Sequence, residues 1–353
     1  MRILQMNFER GWRGGERQTL LSMRQFRDAG HDVSLLARRG GELARQAIAQ
    51  GFTVHEPANV PALCGFLVRH GRRYDILHAQ TANMMTWLAL LKPLLGRRVV
   101  FTRRTAFPVK RRERQTAWKW RRADVLVAIS QAAASEPRRL GLVASIIPSA
   151  IEVKALDQGH IAAFTRQFDL ADKRVLATAA ALTADKDPCT LIRAVHRLHQ
   201  LRSDFVFLHL GAGGGSESEA RALVRELSLE NIYLFAGFQS GIDDLYRLMD
   251  VFVLSSRSEA LGTSVLDAFL YSVPVVATNA GGLAEILAGG RGIMCAAGDH
   301  EALAAGMDRV LNDRSLRASM VENARDYVLR EHDAGVMAKR YLVQYQRLID
   351  RNT

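Results

Sequence analysis

The feature that most constrains the fold of this chain is a regular alternation of short apolar segments with longer amphipathic ones. The short segments are rich in Val, Ile, Leu and Phe and predict buried strands, whereas the amphipathic ones predict helices. In the first half the predicted strands are RILQMNF (2–8), DVSLLA (32–37), DILHA (75–79), VVFT (99–102) and DVLVAIS (124–130). In the second half they are RVLATAAAL (174–182), FVFLHLG (205–211), IYLFAG (232–237), VFVLSS (251–256), VPVVAT (273–278) and RGIMCA (291–296). Because alternating strands and helices form parallel sheets covered on both faces, the pattern predicts an α/β fold.

A polar stretch from 148 to 172 interrupts the alternation, and we expect the chain to cross there between two domains. A chain of 353 residues suits two domains, each long enough to bury its own core. The predicted organisation is a Rossmann-like domain over 1–155, a second over 156–335, and a C-terminal helix over 336–353 that packs back on the first domain. We expect the two doubly wound parallel sheets to face a central cleft, with ligands outside the carboxyl ends of the strands.

Charge is distributed unevenly along the chain. Residues 1–150 carry 26 Lys and Arg against 10 Asp and Glu, whereas the remaining residues carry 22 against 26. A basic half suits a polyanionic partner, such as an anionic membrane surface, a phosphorylated glycolipid or a nucleic acid. Segment 109–124 combines a run of Lys and Arg with Trp118 and Trp120, which is typical of a helix on anionic lipid. A solvated helix face with inward-packed tryptophans fits the segment too. No nucleic-acid recognition motif is evident, so no nucleic-acid partner is expected.

Targeting features and cysteines indicate the compartment. No apolar run is long enough to span a bilayer, and the first residues lack the pattern of a secretory signal. The three cysteines, Cys64, Cys189 and Cys295, are far apart and predict reduced thiols. We therefore expect a cytoplasmic protein, peripheral on the inner face of the cytoplasmic membrane.

The polar loop SRSEALG follows the predicted strand 251–256 and leads into a helix near Thr263. Glu259 lies just past the strand, and Gly262 allows close approach of the backbone to a ligand. The amides that begin the helix suit an anion, especially a phosphate. Asp267 follows about one turn later and can turn toward the same pocket. Two carboxylates at this spacing can accept hydrogen bonds from sugar or ribose hydroxyls, although a loop carboxylate and a solvated helix residue fit the spacing equally well.

The segments SRSEALG and VLDAF resemble the signature of the family 4 glycosyltransferases, which are retaining enzymes with the GT-B fold. The family pattern is a Glu, seven intervening residues and a second Glu, and here Asp267 replaces the second. The resemblance implies that Glu259 is catalytic and meets the donor sugar near its reacting end. It implies that Asp267 contacts the nucleotide ribose. The amides implied to bind donor hydroxyls and phosphate are those of Leu261, Gly262, Thr263 and Ser264.

Further segments match the same family in order and spacing. They are ADVLVAISQAAASEPRRLGL (123–142), PSAIE (148–152), FLHLGAGGGSESEARAL (207–223) and ATNAGGLAEIL (277–287), in which Gly281, Gly282 and Glu285 match. The resemblance spans nearly the whole chain and is densest from 174 to 290. It implies a GT-B architecture of two Rossmann-like domains.

The segment AALTADKDPCTLI (180–192) resembles the family pattern GRLxxxKG, whose Arg and Lys hold the donor diphosphate. Lys186 matches, whereas Ala181 stands at the Arg position and Asp187 at the Gly position. A fixed cation stabilises the charge that develops on a departing nucleotide diphosphate, so the resemblance implies a catalytic role for Lys186. Without the flanking resemblance, a surface Lys at a helix start would explain the residue.

Three features of the first domain belong to the same resemblance. Gly14 and Gly15, in GWRGGERQTL, resemble the family's GG pair, which approaches the donor diphosphate and the acceptor at a helix N-terminus. His78, in DILHAQ, matches the first histidine of a DxxHxH pattern and is implied to be an acceptor-side catalytic residue, although a strand-end His is more often structural. FTRRTAF places Arg103 and Arg104 where many members have a donor-contacting His. Arg104 in that position is predicted to be a catalytic residue and can bind an acidic or phosphorylated group.

We therefore predict a retaining glycosyltransferase that moves a sugar from a nucleotide-sugar donor to a hydroxyl of a glycan or lipid-linked acceptor. The expected pathway is bacterial lipopolysaccharide or cell-surface polysaccharide synthesis. No metal or other cofactor is expected, because no DxD-type carboxylate cluster stands out. UDP-, GDP- and ADP-linked donors all remain open. The alternatives are a nucleotide-sugar epimerase of the same fold and a non-enzymatic, basic nucleotide- or nucleic-acid-binding protein.

Overall fold

A computed structural model describes residues 1–350 and divides the chain into two compact units. The first unit comprises Met1–Ala150 together with residues 331–350, and the second comprises Ile151–Arg330. Both divisions fall a few residues before the boundaries predicted at 155 and 335. Residues 351–353 of the predicted C-terminal segment lie outside the described residues.

The first unit is built on a seven-stranded parallel sheet in the order β3-β2-β1-β4-β5-β6-β7. Its strands are β1 (Arg2–Asn7), β2 (Asp32–Ala37), β3 (Thr53–His55), β4 (Ile76–Ala79), β5 (Arg98–Arg103), β6 (Val125–Ala128) and β7 (Ser145–Ile146). Its helices up to residue 150 are α1 (Gly14–Asp28), α2 (Glu42–Ala49), α3 (Val60–His70), α4 (Ala82–Leu95), α5 (Glu113–Arg121) and α6 (Gln131–Arg139). The strand order reverses between β1 and β4, and the carboxyl edge at such a switch point is where open α/β sheets bind ligands.

The second unit is built on a six-stranded parallel sheet in the order β10-β9-β8-β11-β12-β13. Its strands are β8 (Arg174–Ala179), β9 (Phe205–Leu210), β10 (Tyr233–Gly237), β11 (Val251–Leu254), β12 (Val275–Thr278) and β13 (Ile293–Cys295). Its helices are α7 (Gln158–Gln167), α8 (Pro188–His199), α9 (Glu217–Glu226), α10 (Ile242–Leu245), α11 (Thr263–Leu270), α12 (Gly282–Leu287), α13 (His300–Asn312) and α14 (Arg314–Glu331). Here the order reverses between β8 and β11, so the loops after these two strands are neighbours.

The last helix, α15 (Ala334–Asp350), belongs to the first unit. It begins after Asp333, whose carboxylate accepts hydrogen bonds from the amides of the first turn at 2.8 and 3.0 Å. Its buried face joins the core of the first unit, where the rings of Phe26 and Tyr345 lie 5.5 Å apart. The buried residues of this face are Ala334, Met337, Ala338, Tyr341, Tyr345 and Leu348. A fully buried side chain such as Met337 stabilises the unit by about 1.5–3 kcal/mol.

Two further expectations concern the surface and the thiols. Across residues 1–350, no helix combines the length and the apolar character needed to cross a bilayer. Cys64, Cys189 and Cys295 are all free thiols, as their spacing predicts. Burial raises the pKa of the Cys295 thiol to about 11, which keeps this group protonated near neutral pH.

Candidate active site

In the second unit, Lys186 and Glu259 meet at the carboxyl edge of the sheet. Lys186 follows β8 and Glu259 follows β11, and these two strands are adjacent in the sheet. The Lys186 ammonium donates a hydrogen bond to Glu259 Oε2 and forms an ion pair with it. Both side chains are partly buried, with 24% and 16% of their surface exposed. The structure thus brings together the two residues that the sequence assigns to donor chemistry.

The loops that carry this pair are also tied to each other. The Ser255 hydroxyl lies 2.9 Å from the carbonyl oxygens of both Lys186 and Asp187. The Arg257 amide donates to the Asp185 carbonyl at 2.8 Å, and Arg257 Nε donates to Asp187 Oδ2 at 2.7 Å. These contacts fix the distance between the two backbone segments, so the Lys186–Glu259 pair is held on a preorganised frame.

Asp187 explains one departure from the family pattern. It has a positive φ of 49° and caps helix α8, where its carboxylate accepts from the Thr190 hydroxyl at 2.7 Å. Glycine adopts this backbone conformation most readily, and Asp is among the few other residues that tolerate it. The Asp at this position adds a function that Gly lacks, because its carboxylate holds Arg257. Sequence reasoning missed Arg257, and the available signal was its place in the polar loop directly before Glu259.

The glycine pair in the loop after β12 packs directly against the backbone of Glu259. A Cβ on Gly281, whose φ is +55°, would lie 2.3 Å from the Glu259 carbonyl oxygen. A Cβ on Gly282 would lie 2.3 Å from the carbonyl oxygen of Ala260, and the Gly282 amide donates to the Glu259 carbonyl at 2.9 Å. Only glycine fits at both positions, and the contact sets the position of the Glu259 loop.

Helix α11 begins immediately after this loop. Gly262 is its N-cap, with φ 92°, and no side chain caps the first turn. Leu261 and Gly262 are buried, whereas Thr263 and Ser264 are partly exposed. Unsatisfied amides at the start of this helix can bind an anion or a hydroxyl oxygen. Of the residues predicted to bind the donor through their amides, Gly262 lies beside Glu259, since a Cβ on this glycine would lie 3.6 Å from Glu259 Cγ.

Asp267 lies one turn into α11 and is buried, with 4% of its surface exposed. Its surroundings are acidic and aromatic. Burial first, and then the charges of Asp243 and Asp267, raise the pKa of Tyr271 to about 12. The Tyr271 hydroxyl lies 3.3 Å from Asp243 Oδ1, and its ring stacks on Tyr246. The predicted contact of Asp267 with the donor ribose stays a prediction.

The glycine-rich run after β9 supports the loop that carries Ala181. A Cβ on Gly211 would lie 1.9 Å from the Ala180 carbonyl oxygen, and one on Gly214 would lie 2.2 Å from the Leu182 carbonyl oxygen. The Leu182 amide donates to the Gly213 carbonyl at 2.9 Å. Ala181 is exposed on this loop and contributes no charge, so the cation of the family pattern is absent from this position.

In the first unit, Arg104 follows β5 and lies against the start of α1. Its Nε and Nη2 donate to Gln80 Oε1 at 3.2 and 2.6 Å, and its Nη1 donates to the Ser149 hydroxyl at 3.3 Å. A Cβ on Gly15 would lie 3.7 Å from Arg104 Cδ, and Gly14 is the exposed first residue of α1. Gly14, Gly15 and Arg104 thus form a group at the carboxyl edge of the first sheet.

His78 lies beneath this group and has no exposed surface. Its Nδ1 lies 2.7 Å from the Tyr345 hydroxyl and 3.2 Å from Gln5 Nε2, and its Nε2 lies 2.8 Å from the Thr102 hydroxyl. Because both neighbours of Nδ1 can donate, the ring proton belongs on Nε2. Burial, followed by the charge of Arg104, holds the pKa of His78 well below its usual range. The predicted acceptor-side role of His78 stays a prediction.

The two arginines of FTRRTAF have different environments. The Arg103 guanidinium lies 4.8 Å from the centre of the Trp120 ring, and it donates to the backbone carbonyls of Ala133 and Phe107. Trp120 is buried, whereas Trp118 is 43% exposed. One tryptophan of the basic segment therefore packs inward and the other faces solvent. Arg103 stabilises the fold, and Arg104 is the one that reaches the predicted site.

Two regions of the chain match known protein families. Residues 163–327 match the family described as Glycosyl transferases group 1, and residues 12–154 match the one described as Glycosyltransferase Family 4. Together these regions contain every candidate site residue. The first region contains β2 to β7, and the second contains β8 to β13.

Two curated relatives show modest identity. The lipopolysaccharide core biosynthesis glycosyltransferase LpsE of Rhizobium meliloti is 29% identical over 173 residues, which is 49% of this chain and 49% of LpsE. The N-acetyl-alpha-D-glucosaminyl L-malate synthase of Bacillus anthracis is 30% identical over 133 residues, which is 37% of this chain and 35% of that enzyme. The matched stretch therefore spans half or less of the length of these relatives.

The fold is shared with solved structures over nearly the full chain. Anabaena HepE, solved in complex with UDP and glucose, superposes with a TM-score of 0.87 at 20% identity. The match covers 98% of this chain and 99% of HepE. At this level of identity the likeness shows the fold, which is that of two parallel-sheet α/β units.

Proposed function

The chain belongs to the family 4 glycosyltransferases and has their GT-B fold, and from this premise we propose that it transfers a sugar from a nucleotide-sugar donor to an acceptor hydroxyl. The observation that carries the proposal is the contact of Lys186 with Glu259 beside the open amides of α11. A cation, a carboxylate and a helix N-terminus are the groups needed to hold a diphosphate and a sugar together.

In this proposal, binding of the donor separates the Lys186–Glu259 ion pair. The donor diphosphate replaces Glu259 as the partner of Lys186, and the amides near Thr263 take further phosphate or sugar oxygens. Glu259 then accepts hydrogen bonds from the hydroxyls of the donor sugar, and Asp267 accepts hydrogen bonds from the ribose hydroxyls. HepE was solved with UDP and glucose, which supports a nucleotide sugar as the donor of this chain. UDP-linked sugars are therefore the first donors to test.

The proposed reaction proceeds with retention of configuration and without a metal ion. As the bond to the diphosphate breaks, negative charge develops on the leaving oxygen, and the Lys186 ammonium and α11 amides stabilise it. An oxocarbenium-like centre forms on the sugar, and the acceptor hydroxyl attacks from the side that the diphosphate leaves. The departing phosphate takes the proton of that hydroxyl, so no separate protein base is required.

We propose that the acceptor is a glycan or a lipid-linked sugar of the bacterial cell surface. The match to LpsE supports a place in lipopolysaccharide core synthesis. The basic first unit supports peripheral association with the inner face of the cytoplasmic membrane, since Trp118 is exposed and the Arg122 guanidinium lies 5.1 Å from its ring centre. The other relative is named for L-malate, a dicarboxylate, which makes acidic acceptors a class to test.

A thermal-shift screen against UDP-, GDP- and ADP-linked sugars tests the proposal. We expect one of these to raise Tm for the wild type, with the shift lost in Glu259→Ala and Lys186→Ala. The matched control is Glu230→Ala, because Glu230 is an exposed glutamate of the same unit. Failure of every nucleotide sugar to stabilise the wild type would contradict the proposal. Nucleotide release with an interconverted sugar and no acceptor would identify an epimerase instead.

A further inference from the structure

We propose that Arg104 is the centre of a binding site for an anionic group, a phosphate or a carboxylate, carried by the acceptor. This inference rests on the proposed function, since it names the chemical class of the acceptor in the proposed transfer. The Arg104 guanidinium differs in its partners from Lys186 and Arg257, each of which forms an ion pair with a carboxylate.

The guanidinium of Arg104 is held only by neutral oxygens. A guanidinium has five N–H groups, and here three are used: two on Gln80 Oε1 and one on the Ser149 hydroxyl. One N–H remains on each terminal nitrogen. These two N–H groups, called the Arg104 fork below, are available to donate to the oxygens of a carboxylate or phosphate.

No carboxylate within residues 1–350 forms an ion pair with Arg104. Glu16 is close enough for its charge to act on Arg104, but its two oxygens accept from Asn7 Nδ2 and from the Arg13 amide. Arg104 is partly buried, and this burial lowers the pKa of the guanidinium. A partly buried cation without a counter-ion is costly, so an anion that arrives there gains a strong partner.

The fork is also held in place before any ligand arrives. Gln80 Nε2 donates to Gln5 Oε1 at 2.8 Å, which turns Gln80 Oε1 toward Arg104. The backbone next to Ser149 is fixed as well, because the side-chain amide of Gln18 makes two hydrogen bonds with the backbone of Ala150, at 2.6 and 2.9 Å. Both supports are buried, so the guanidinium orientation is predetermined and little entropy is lost on binding.

Helix α1 adds a second source of positive potential. It is fifteen residues long, and its second residue, Gly15, lies against the Arg104 side chain. The first amides of a helix carry partial positive charge. The start of α1 thus lies against the Arg104 side chain, and Gly14, the first residue of the helix, is exposed.

Binding of three small sugars to the full chain tests this site. The probes are glucose 6-phosphate, glucuronate and neutral glucose, titrated calorimetrically at constant ionic strength. We expect at least one acidic sugar to bind the wild type more tightly than glucose. Arg104→Gln should weaken that binding about 10- to 100-fold, the range set by a hydrogen bond to a charged group, with Arg104→Lys in between. The control Arg69→Gln removes an exposed arginine of the same unit and should change nothing.

The two acidic probes separate the sources of the anion. Preference for glucose 6-phosphate identifies a phosphorylated acceptor, and preference for glucuronate identifies a carboxylated one. Equal binding of the acidic sugars by Arg104→Gln and the wild type would overturn the proposal, as would failure of both to exceed glucose. Folding is checked in parallel: Arg104→Gln removes an unpaired charge and should leave Tm unchanged or higher, whereas loss of a purely structural arginine would lower it.

A separate measurement distinguishes failure of the anion-site proposal from failure of the transferase proposal. Nucleotide-sugar binding is measured separately, on the wild-type protein. If no nucleotide sugar binds but Arg104→Gln still loses the acidic sugar, the anion site stands and the transferase proposal fails. If a nucleotide sugar binds the wild type and Arg104→Gln still binds the acidic sugar, the transferase proposal stands and the anion-site proposal fails.

Discussion

The carboxyl edges of the two sheets differ in whether their cations form ion pairs. In the second unit the cations are already paired, Lys186 with Glu259 and Arg257 with Asp187. In the first unit Arg104 donates hydrogen bonds to neutral amide and hydroxyl groups and forms no ion pair within the described chain. A paired site must exchange a partner when it binds its ligand, whereas an unpaired site gains one.

This difference has an energetic consequence. The Lys186–Glu259 pair lowers the cost of holding two partly buried charges, because each residue is the counter-ion of the other. Arg104 keeps its desolvation cost until an anion arrives. If the two proposals hold, donor binding separates an existing ion pair, whereas anion binding gives Arg104 its first counter-ion. The following four changes test that comparison, from the largest expected effect to the smallest.

Lys186→Ala should have the largest effect. It removes the cation proposed to stabilise the leaving diphosphate, and it leaves Glu259 partly buried without its partner. We expect kcat for transfer to fall about 100- to 1000-fold, together with a lower Tm. Lys173→Ala is the control, because Lys173 is an exposed lysine of the same unit whose ion pair lies on the surface. A loss no larger than that of the control would refute the role of Lys186.

Gly281→Ala tests the frame behind Glu259. The added Cβ would lie 2.3 Å from the Glu259 carbonyl oxygen, so the loop must shift. We expect about a 100-fold loss of transfer activity, because a displacement of about 1 Å at a reacting group has that cost. Gly298→Ala is the control, since Gly298 also has a positive φ, +84°, but has open space around it. If both variants lose stability and only Gly281→Ala loses activity, the contact with Glu259 is responsible.

The buried His209 predicts acid sensitivity in the second unit. Burial lowers its pKa from 6.5 to about 4, so between these values the unfolded chain binds the proton more readily than the folded one. The free energy of unfolding therefore falls as pH drops through 6.5 toward 4, by up to about 3 kcal/mol from this residue. Chemical denaturation of the wild type and His209→Asn at pH 7 and 4.5 checks this. The same pH loss in both proteins would exclude His209 as the cause.

Arg257→Gln should have the smallest effect on stability. The Arg257 side chain is 64% exposed, and exposed ion pairs contribute about 0–1 kcal/mol. We expect donor affinity to change only a few-fold, because Asp187 still caps α8 through Thr190. Comparison of Tm and nucleotide-sugar affinity with the wild type checks this. A loss as large as that of Lys186→Ala would show that Arg257 supplies the charge that Ala181 lacks.

Much of the fold follows from local sequence. The alternation of apolar and amphipathic segments predicts two α/β units with parallel sheets, and the structure confirms both. The family resemblance is confirmed by the matches over residues 12–154 and 163–327, the second of which contains the Glu259 loop and the Gly281–Gly282 pair. These motifs can be recognised in the sequence because each lies within a single loop and requires a particular residue at a particular backbone position.

The remaining contacts depend on strand order and on distant segments. The Asp187–Arg257 pair exists because β8 and β11 are adjacent, although 70 residues separate the two side chains. The environment of His78 depends on Tyr345, which is 267 residues away along the chain. No local pattern around DILHAQ indicates that α15 will cover this histidine. The roles of Glu259, Lys186, Asp267 and Arg104 stay predictions until they are tested.

The placement of α15 has a consequence for synthesis. A ribosome completes residues 151–330, the whole of the second unit, before it reaches the helix that completes the first. Until residues 334–350 emerge, the first sheet lacks Tyr341 and Tyr345 from its core, and His78 lacks one of its hydrogen-bond partners. The unit translated first is therefore the last to mature, and a stalled or clipped product would retain a finished second unit beside an unfinished first one.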